Sequence, residues 1–485
     1  MSAANSAELR RHAEALWSQG ETARAADQAF AALAAAPGDQ AAKALAARLL
    51  RAAPAAVRPD HEAALMALLC DPDVDPDELS GAGWPLALPR LPAVSSPEAI
   101  AQAAEADPLA LRLLEEAPVA APEAERRLTA VRRWMLQSRA WDRFAKLARA
   151  LVAQAALNGG AWFVEPDEAA ALGQEERHVF GAAYPPIAPA PAAATHQGPA
   201  VVRDQYERWP YPRWRRITRR PPDERSTAGR GADILIAGCG TGREAAAAAI
   251  RRPAARVLAI DVSQASLDYA ADRCAALGVG AVEFVRADLR DCADLGRAFD
   301  SIYCSGVLHH LADPEAGWRA LASVLKPQGR MRLGLYSRIA RLPVAAARRL
   351  FVDLAAQPAS DDRTRAVRRR LLAEPPQSPA RWVIGSRDFA TLEGAADLLL
   401  HPHEDLFDIP RIERCIRALG LRFERFLLPT PADLTCYRAQ FPDDPDCRSL
   451  RNWSAFEFAK PNLFAGMYRF ACVNTVADLS PPAIR

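Results

Sequence analysis

A chain of 485 residues, half of them apolar, exceeds one ordinary domain and holds ample material for two to four packed cores. Lysine plus arginine (61) nearly balances aspartate plus glutamate (59), and a net charge of +2 argues against a dedicated nucleic-acid binder with one strongly basic face. Nine cysteines without a C-x-x-C pair read as reduced thiols of a cytoplasmic protein, "MSAANSAELRRHAEALW" lacks the apolar core of a signal peptide, and no apolar run of about 18 residues predicts a membrane span.

The first fifty residues predict helices. "LWSQGETARAADQAFAALAAAPGDQAAKALAARLL" carries Gly20, Ala25, Ala32 and Pro37 at the offsets of a tetratricopeptide repeat. Small residues there let two antiparallel helices approach closely, and the proline starts the next turn. One repeat plus the first helix of a second is too little for a solenoid, so a helical hairpin leaning on its neighbours is expected; plain alanine-rich helices are the alternative. Two further helices are predicted, "DPLALRLLEEAP" and "EAERRLTAVRRWMLQSRAWDRFAKLARALVAQAAL", the second with apolar spacing near 3.6 throughout. "AAYPPIAPAPAAATHQGPA" then has little to bury and reads as a linker.

Beyond the linker the rhythm changes. "DILIAGC", "RVLAIDV", "VEFVRADL", "FDSIYCSGV" and "RMRLGLYS" alternate with helical patterns, which predicts a parallel sheet covered on both faces. A helical stretch follows, then a helix and strand in "IERCIRALGLRFERFLL" and a last strand in "NLFAGMYRFACVN". The expected fold is α/β: a seven-stranded, doubly wound, Rossmann-like sheet with a helical insertion after its fifth strand, preceded by an all-α tetratricopeptide-like domain. The expected divisions are 1–160 (helical), 161–228 (linker and aromatic lid), 229–339 (ligand-binding core), 340–407 (helical insertion) and 408–485 (completion of the sheet).

Gly238, Gly240 and Gly242 lie where the first strand turns into the first helix, the ligand crevice of an open α/β sheet. A dinucleotide fingerprint would need glycine at 243, where this chain has Arg243, so a nicotinamide-dependent oxidoreductase is disfavoured. The G-x-G-x-G spacing suits a ligand with an amino-acid carboxylate and amine. Asp261 ends the second strand, where a carboxylate can accept from both ribose hydroxyls; Asp288 follows the third, where it can take an exocyclic adenine amine. Either acid alone could be a helix cap.

"ILIAGCGTG", "AIDVSQASLDYA", "RADL" and "SGVLHHLADPEAGWRALASVLKPQGRMRLGLYS" resemble the class I S-adenosylmethionine-dependent methyltransferases. "QYERWPYPRW" and "FAGMYRF" are similar to bacterial members that carry tetratricopeptide helices at their N-terminus. The resemblance implies S-adenosyl-L-methionine as cofactor, with contacts from Gly238, Gly240, Gly242, Asp261, Val262, Asp288, Leu289, Ser305 and Gly306. Related proteins tend to read "RDLLFHVQEH" where this chain has "ADLLLHPHED". His401 and Glu404 match, whereas Ala396 and Asp405 replace an arginine and a histidine, which implies a different acceptor if this segment lines the acceptor site.

The acceptor side is expected at the strand ends. His309 and His310 follow strand four, and Tyr336 ends strand five; one histidine could accept a proton, since imidazole titrates near neutrality. The bland reading packs the first histidine beside the cofactor and Tyr336 in the core. Tyr206, Trp209, Tyr211 and Arg213 form a candidate lid, its prolines fixing an extended path, with a plain surface strap as the alternative. His401 and Glu404 are candidate acceptor contacts. With Pro402 between the two histidines, "HPHE" is not read as a metal site, and no metal is expected. "CSGV" after strand four lacks the Pro-Pro-aromatic of adenine and amide-nitrogen methylases and the Pro-Cys of cytosine-carbon methylases. The expected activity is methyl transfer to an oxygen or nitrogen acceptor on a small molecule or on a peptide or protein side chain. The competing reading is a non-catalytic scaffold with a silent pocket and a partner on its front helices.

Overall fold

Alanine at every third or fourth position lets the front helices approach closely. Ala3–Ser18 and Thr22–Ala35 join through Gly20, which takes a left-handed φ of 85°. Ala25, Ala29 and Ala32 are buried between them. Asp39 then caps the helix Gln40–Ala52 by accepting from the Ala41 and Ala42 amides, and Pro37 lies in the turn before it. This computed structural model describes residues 3–93, 95–172, 181–184, 199–221, 231–375, 377–378 and 380–475. Most of the proline-alanine linker lies outside the described residues. The chain divides into two compact units, 1–194 with 216–218 and 343–400, and 195–215 with 219–342 and 401–485.

In the first unit, the long periodic segment after residue 122 is two helices and not one. Pro122–Ser138 stops at Arg139, which adopts a left-handed conformation (φ 54°), and Ala145–Leu157 begins after a turn. Trp141 and Phe144 bury themselves in that break, so tertiary burial of two aromatics overrides a periodicity that continues unbroken in sequence. The insertion after the fifth strand belongs to the same unit. Arg368 on the helix Asp361–Leu372 pairs with Glu125 (3.0 and 2.8 Å) and donates to the carbonyls of Ala161 and Phe389. Both partners are buried, so each charge depends on the other for its compensation. The Leu392 amide also donates to the Asn158 carbonyl at 2.9 Å.

The second unit is the sheet. Its order is β3-β2-β1-β4-β5-β7-β6, with β1 Asp233–Ala237, β2 Arg256–Asp261, β3 Val282–Arg286, β4 Phe299–Ser305, β5 Leu325–Leu335, β6 Leu421–Phe426 and β7 Tyr468–Asn474. The first five strands are parallel, and β7 runs antiparallel between β5 and β6. β1 is buried along its whole length, the signature of a central parallel strand covered on both faces. One face packs Leu235, Ile302, Met331 and Phe470 under the later helices; the other packs Ile234, Ile236 and Val257 under alanines of Arg243–Arg251. The order reverses between β1 and β4, and the carboxyl ends of these strands therefore open a crevice. Among the described residues no helix is long and apolar enough to cross a membrane.

Candidate functional site

The glycine turn sits at the reversal point. Gly238, Gly240 and Gly242 have φ of 66°, 50° and 78°, a region closed to most side chains. The protein's own elements supply the second reason for glycine. A Cβ at 238 would run into the Val307 side chain, one at 242 would lie 2.5 Å from the Ala270 Cβ, and one at 240 would lie 2.9 Å from the Tyr211 carbonyl oxygen. The turn after β4, the helix after β2 and the aromatic segment thus all close directly on this turn.

The aromatic segment is fastened there by polar bonds. The Trp214 indole donates to the Thr241 carbonyl at 2.7 Å, and the Thr241 hydroxyl donates to the Pro212 carbonyl. The Tyr269 hydroxyl donates to the Trp214 carbonyl (2.8 Å) and accepts from its amide (3.2 Å). Only Trp209 to Trp214 is irregular; Tyr206 and Glu207 belong to the last turns of the helix Pro199–Arg208. Glu207 accepts from the Gln264 and Ala265 amides at the start of the helix after β2. Trp209 is buried, Tyr206 and Tyr211 are partly buried, and Arg213 is exposed.

Asp261 is buried at the end of β2, with Val262 partly buried behind it. Its carboxylate accepts from the Gly240 amide (2.8 Å) and the Ser263 amide (2.9 Å), one bond to each oxygen. Burial raises its pKa above the ordinary carboxylate value, against the pull of those amides. The Val262 amide also bears on it, and the carboxylate keeps acceptor capacity beyond these amides, the chemistry that hydroxyl groups require. Asp288 is engaged differently. It caps the turn Leu289–Leu295 through the Arg290 amide and holds the Arg290 guanidinium at 2.6 to 3.1 Å. Despite the opposing cost of its partial burial, that guanidinium and the amide keep the carboxyl below its ordinary value. Leu289 is buried beside it. At the end of β4 the Ser305–Gly306 turn has Gly306 at φ 78°, its amide donating to the Gly334 carbonyl. The glycine turn, the Asp261 carboxylate with its remaining acceptor capacity and the capping acid Asp288 at successive strand ends are compatible with an adenosyl amino acid.

Beyond them lies an imidazole cluster. His309 and His310, in the short turn after β4, are buried; His309 stacks on Tyr336 with ring centroids 3.8 Å apart, and His310 stacks on His401 at 3.7 Å. Tyr206 approaches His401 at 5.9 Å. The segment after His401 runs beside the extension of β5. The Asp405 amide donates to the His309 carbonyl (2.7 Å) and the Phe407 amide to the Tyr336 carbonyl (3.0 Å). Glu404 pairs with Arg341, both buried, and the Arg341 guanidinium lies 3.6 Å from the centre of the Tyr336 ring. Asp405, the departure from the related pattern, binds Arg411 with two bonds of 2.8 Å. Burial and the neighbouring His310, Arg341 and His401 hold His309 well below the usual imidazole pKa.

The residues read from the sequence therefore fall into two groups. The glycines, Asp261 and the turn after β4 meet at the reversal point, Asp288 lies two strands away at the end of β3, and His309, His310, Tyr336, His401, Glu404 and Tyr206 gather in the cluster. Arg213 joins neither. Sequence reasoning passed over Trp214, Thr241, Tyr269 and Arg341. Trp214 closes the aromatic run and carried a signal; Arg341 is one arginine among many and carried none.

Residues 234–329 match the family described as "Methyltransferase domain". An uncharacterized protein of Synechococcus sp. is 35% identical over 203 residues, covering 40% of this chain and 48% of that protein. A ubiquinone biosynthesis O-methyltransferase of Neisseria meningitidis is 37% identical over 101 residues, covering 21% and 42%. The solved structure of PKMT2 from Rickettsia typhi in complex with AdoHcy is 14% identical with a TM-score of 0.39, covering 57% of this chain and 53% of that one. The chain spans less than half the length of these two curated relatives. A matched family segment running from β1 into β5, on a seven-stranded sheet whose reversal point carries the glycine turn, makes this part of the chain a class I S-adenosylmethionine-dependent methyltransferase domain.

Proposed function

We propose that the protein transfers a methyl group from S-adenosyl-L-methionine to an oxygen or nitrogen atom of a small molecule or of a peptide or protein side chain. The observation that carries this reading is the juxtaposition, within one unit, of Asp261 at the glycine turn and the buried imidazole cluster at the ends of β4 and β5. Asp261 would hold the ribose hydroxyls, Asp288 with Leu289 the adenine, and the Gly238–Gly242 turn with Ser305 and Gly306 the amino-acid portion. The bound cofactor supplies an activated methyl on a sulfonium. The protein then has to align an acceptor lone pair, and alignment of that kind can contribute roughly 7–11 kcal/mol. Tyr206, Trp209 and Tyr211 would cover the crevice and keep water from it, with the strap anchored through Trp214. His401 and Glu404 would shape the acceptor side. Relatives named as O-methyltransferases favour oxygen over nitrogen.

Incubation of the full chain with methyl-labelled cofactor and a lysate of its host tests the reading, with label expected in one acceptor class, protein or small molecule. Calorimetry with the cofactor separates this from the scaffold alternative. No heat and no label would leave a partner-binding role for the front helices.

A further inference from the structure

Strand register gathers arginines on one face of the far half of the sheet. Near the centre, β1 and β4 present Ile234, Ile236 and Tyr303 to the alanines of the helix Arg243–Arg251. Beyond Tyr303 the same face changes character. Ser301, Arg330, Val473 and Arg422 stand opposite one another across β4, β5, β7 and β6. Tyr303, Arg332, Ala471 and Arg425 form the next row, and Ser305, Gly334 and Arg469 the one after it. Opposed residues of paired strands share a face, so Arg330, Arg332, Arg422, Arg425 and Arg469 do. Arg332 is partly buried and the other four are exposed. Only Val473, Ala471 and Gly334 lie between them, a low floor beneath long side chains. The opposite face of the same strands carries Met331, Leu333, Phe423 and Phe470 and is packed in the core. Two acids bear on these cations: Glu424 pairs with Arg330 at 3.3 Å, and Glu244, in the first turn of the helix Arg243–Arg251, faces Arg469, Arg332 and Arg251. With Arg251 beside Arg332, six arginines meet two carboxylates among the described residues, an excess that the nearly neutral chain as a whole does not have.

The geometry points to a docking face for an acidic segment of a partner protein, laid along β5, β7 and β6 with Asp or Glu at alternate positions. Arg330 and Arg332 are two residues apart on β5, a separation of about 6.8 Å, and side chains on one face of an extended peptide repeat at the same interval. The guanidinium fork also matches a carboxylate with two parallel bonds. Other anionic partners fit less well. A single-stranded nucleic acid needs rings on which its bases stack. Tyr303 is the one ring that register places on this face of the four strands, and it is buried, with the Arg332 guanidinium 5.0 Å from its centre. A membrane surface needs apolar side chains to insert. The exposed large apolar residues, Leu342, Leu350, Val352, Trp382 and Phe458, all lie outside these strands. This face is a second function beside methyl transfer and holds whatever the acceptor is.

The probe is a fluorescein-labelled peptide of about twelve residues, alternating glutamate and serine, titrated with the full chain and followed by fluorescence anisotropy at about 50 mM salt. Saturable binding is expected, weakening as salt rises to about 300 mM. The double variant Arg422→Gln, Arg425→Gln should bind the peptide about tenfold more weakly, and Arg469→Gln about threefold. All three side chains are exposed, so folding is expected to survive, and unfolding temperature checks it; should one variant unfold, the other still decides. No binding by the unaltered chain overturns the proposal, as does undiminished binding by the folded variants. A single-stranded oligonucleotide, a DNA duplex and phosphatidylserine vesicles are titrated beside the peptide at equal anionic charge. Tighter binding of any of these overturns the assignment of a polypeptide partner.

Discussion

The glycine turn and the imidazole cluster stand at neighbouring strand ends in the same unit, yet they are built in different ways. The turn is local. Three left-handed glycines, a strand before and a helix after are consecutive in the chain, and one carboxylate, Asp261, buttresses them. The cluster has no local logic. It draws on residues 206, 309–310, 336, 341 and 401–404, brought together only when β4 and β5 lie side by side and the segment after His401 pairs with the extension of β5. A site assembled from consecutive residues is held by backbone conformation, and one assembled from distant segments is held by side-chain bonds. The first should therefore break at single backbone-supporting groups, the second by changes in protonation.

The largest effect is expected at Asp261. Its removal in Asp261→Ala leaves the Gly240 and Ser263 amides without their acceptor and takes away both hydroxyl contacts proposed for the cofactor. Hydrogen bonds to a charged group contribute about 1.5–3 kcal/mol each, so cofactor affinity should fall by about 100-fold or more in calorimetry. Equal affinity in the variant would remove the basis for placing the cofactor at this turn.

The cluster should respond to pH. The folded-state pKa of His309 lies well below its unfolded value of about 6.5, so the unfolded chain takes up the proton first. Stability from this residue is complete above pH 6.5 and declines as pH falls below it, by up to about 1.4 kcal/mol per pH unit. Urea unfolding between pH 7.5 and 5.5 should show a shallower decline in His309→Asn than in the unaltered chain; parallel curves would mean that His309 is not buried as a neutral ring.

Smaller effects test the strap and the second acid. Trp214→Phe keeps the ring but loses the 2.7 Å bond to the Thr241 carbonyl, worth about 1 kcal/mol, and should weaken cofactor binding about fivefold with little change in unfolding temperature. Unchanged affinity would make the aromatic segment a surface strap with no part in the crevice. Arg290→Ala should go the other way. The guanidinium now occupies both oxygens of Asp288, and freeing them should tighten cofactor binding about twofold, as expected for an exposed ion pair worth under about 1 kcal/mol. Weaker binding would show that Arg290 itself contacts the ligand.

The glycines also show where a correct reading of sequence rests on a different cause. Three bare positions at alternate residues suggest a ligand pressed against the backbone, but a Cβ at each would meet Val307, Tyr211 or Ala270, groups of the protein itself. The ligand signal lies in the remaining acceptor capacity of Asp261. The aromatic segment gives the opposite lesson: its prolines at 210 and 212 do mark irregular chain, yet Tyr206 lies one helical turn before it, on a helix the motif gave no reason to expect.

By itself the sequence determined the alternation of strands and helices, the glycine turn with its two acids at successive strand ends, and the presence of an insertion after β5. These follow from periodicity and from backbone restrictions that act over a few residues, and such constraints are written locally. Only the tertiary structure decided that the insertion packs in the helical unit through the buried Arg368–Glu125 pair, that the periodic segment after residue 122 breaks at Arg139, and that His310 meets the His403 carbonyl while His309 meets the Tyr336 amide. Each of those depends on a group tens to hundreds of residues away or on where two aromatics find burial, and the energy of such a contact has no counterpart in the spacing of neighbouring residues.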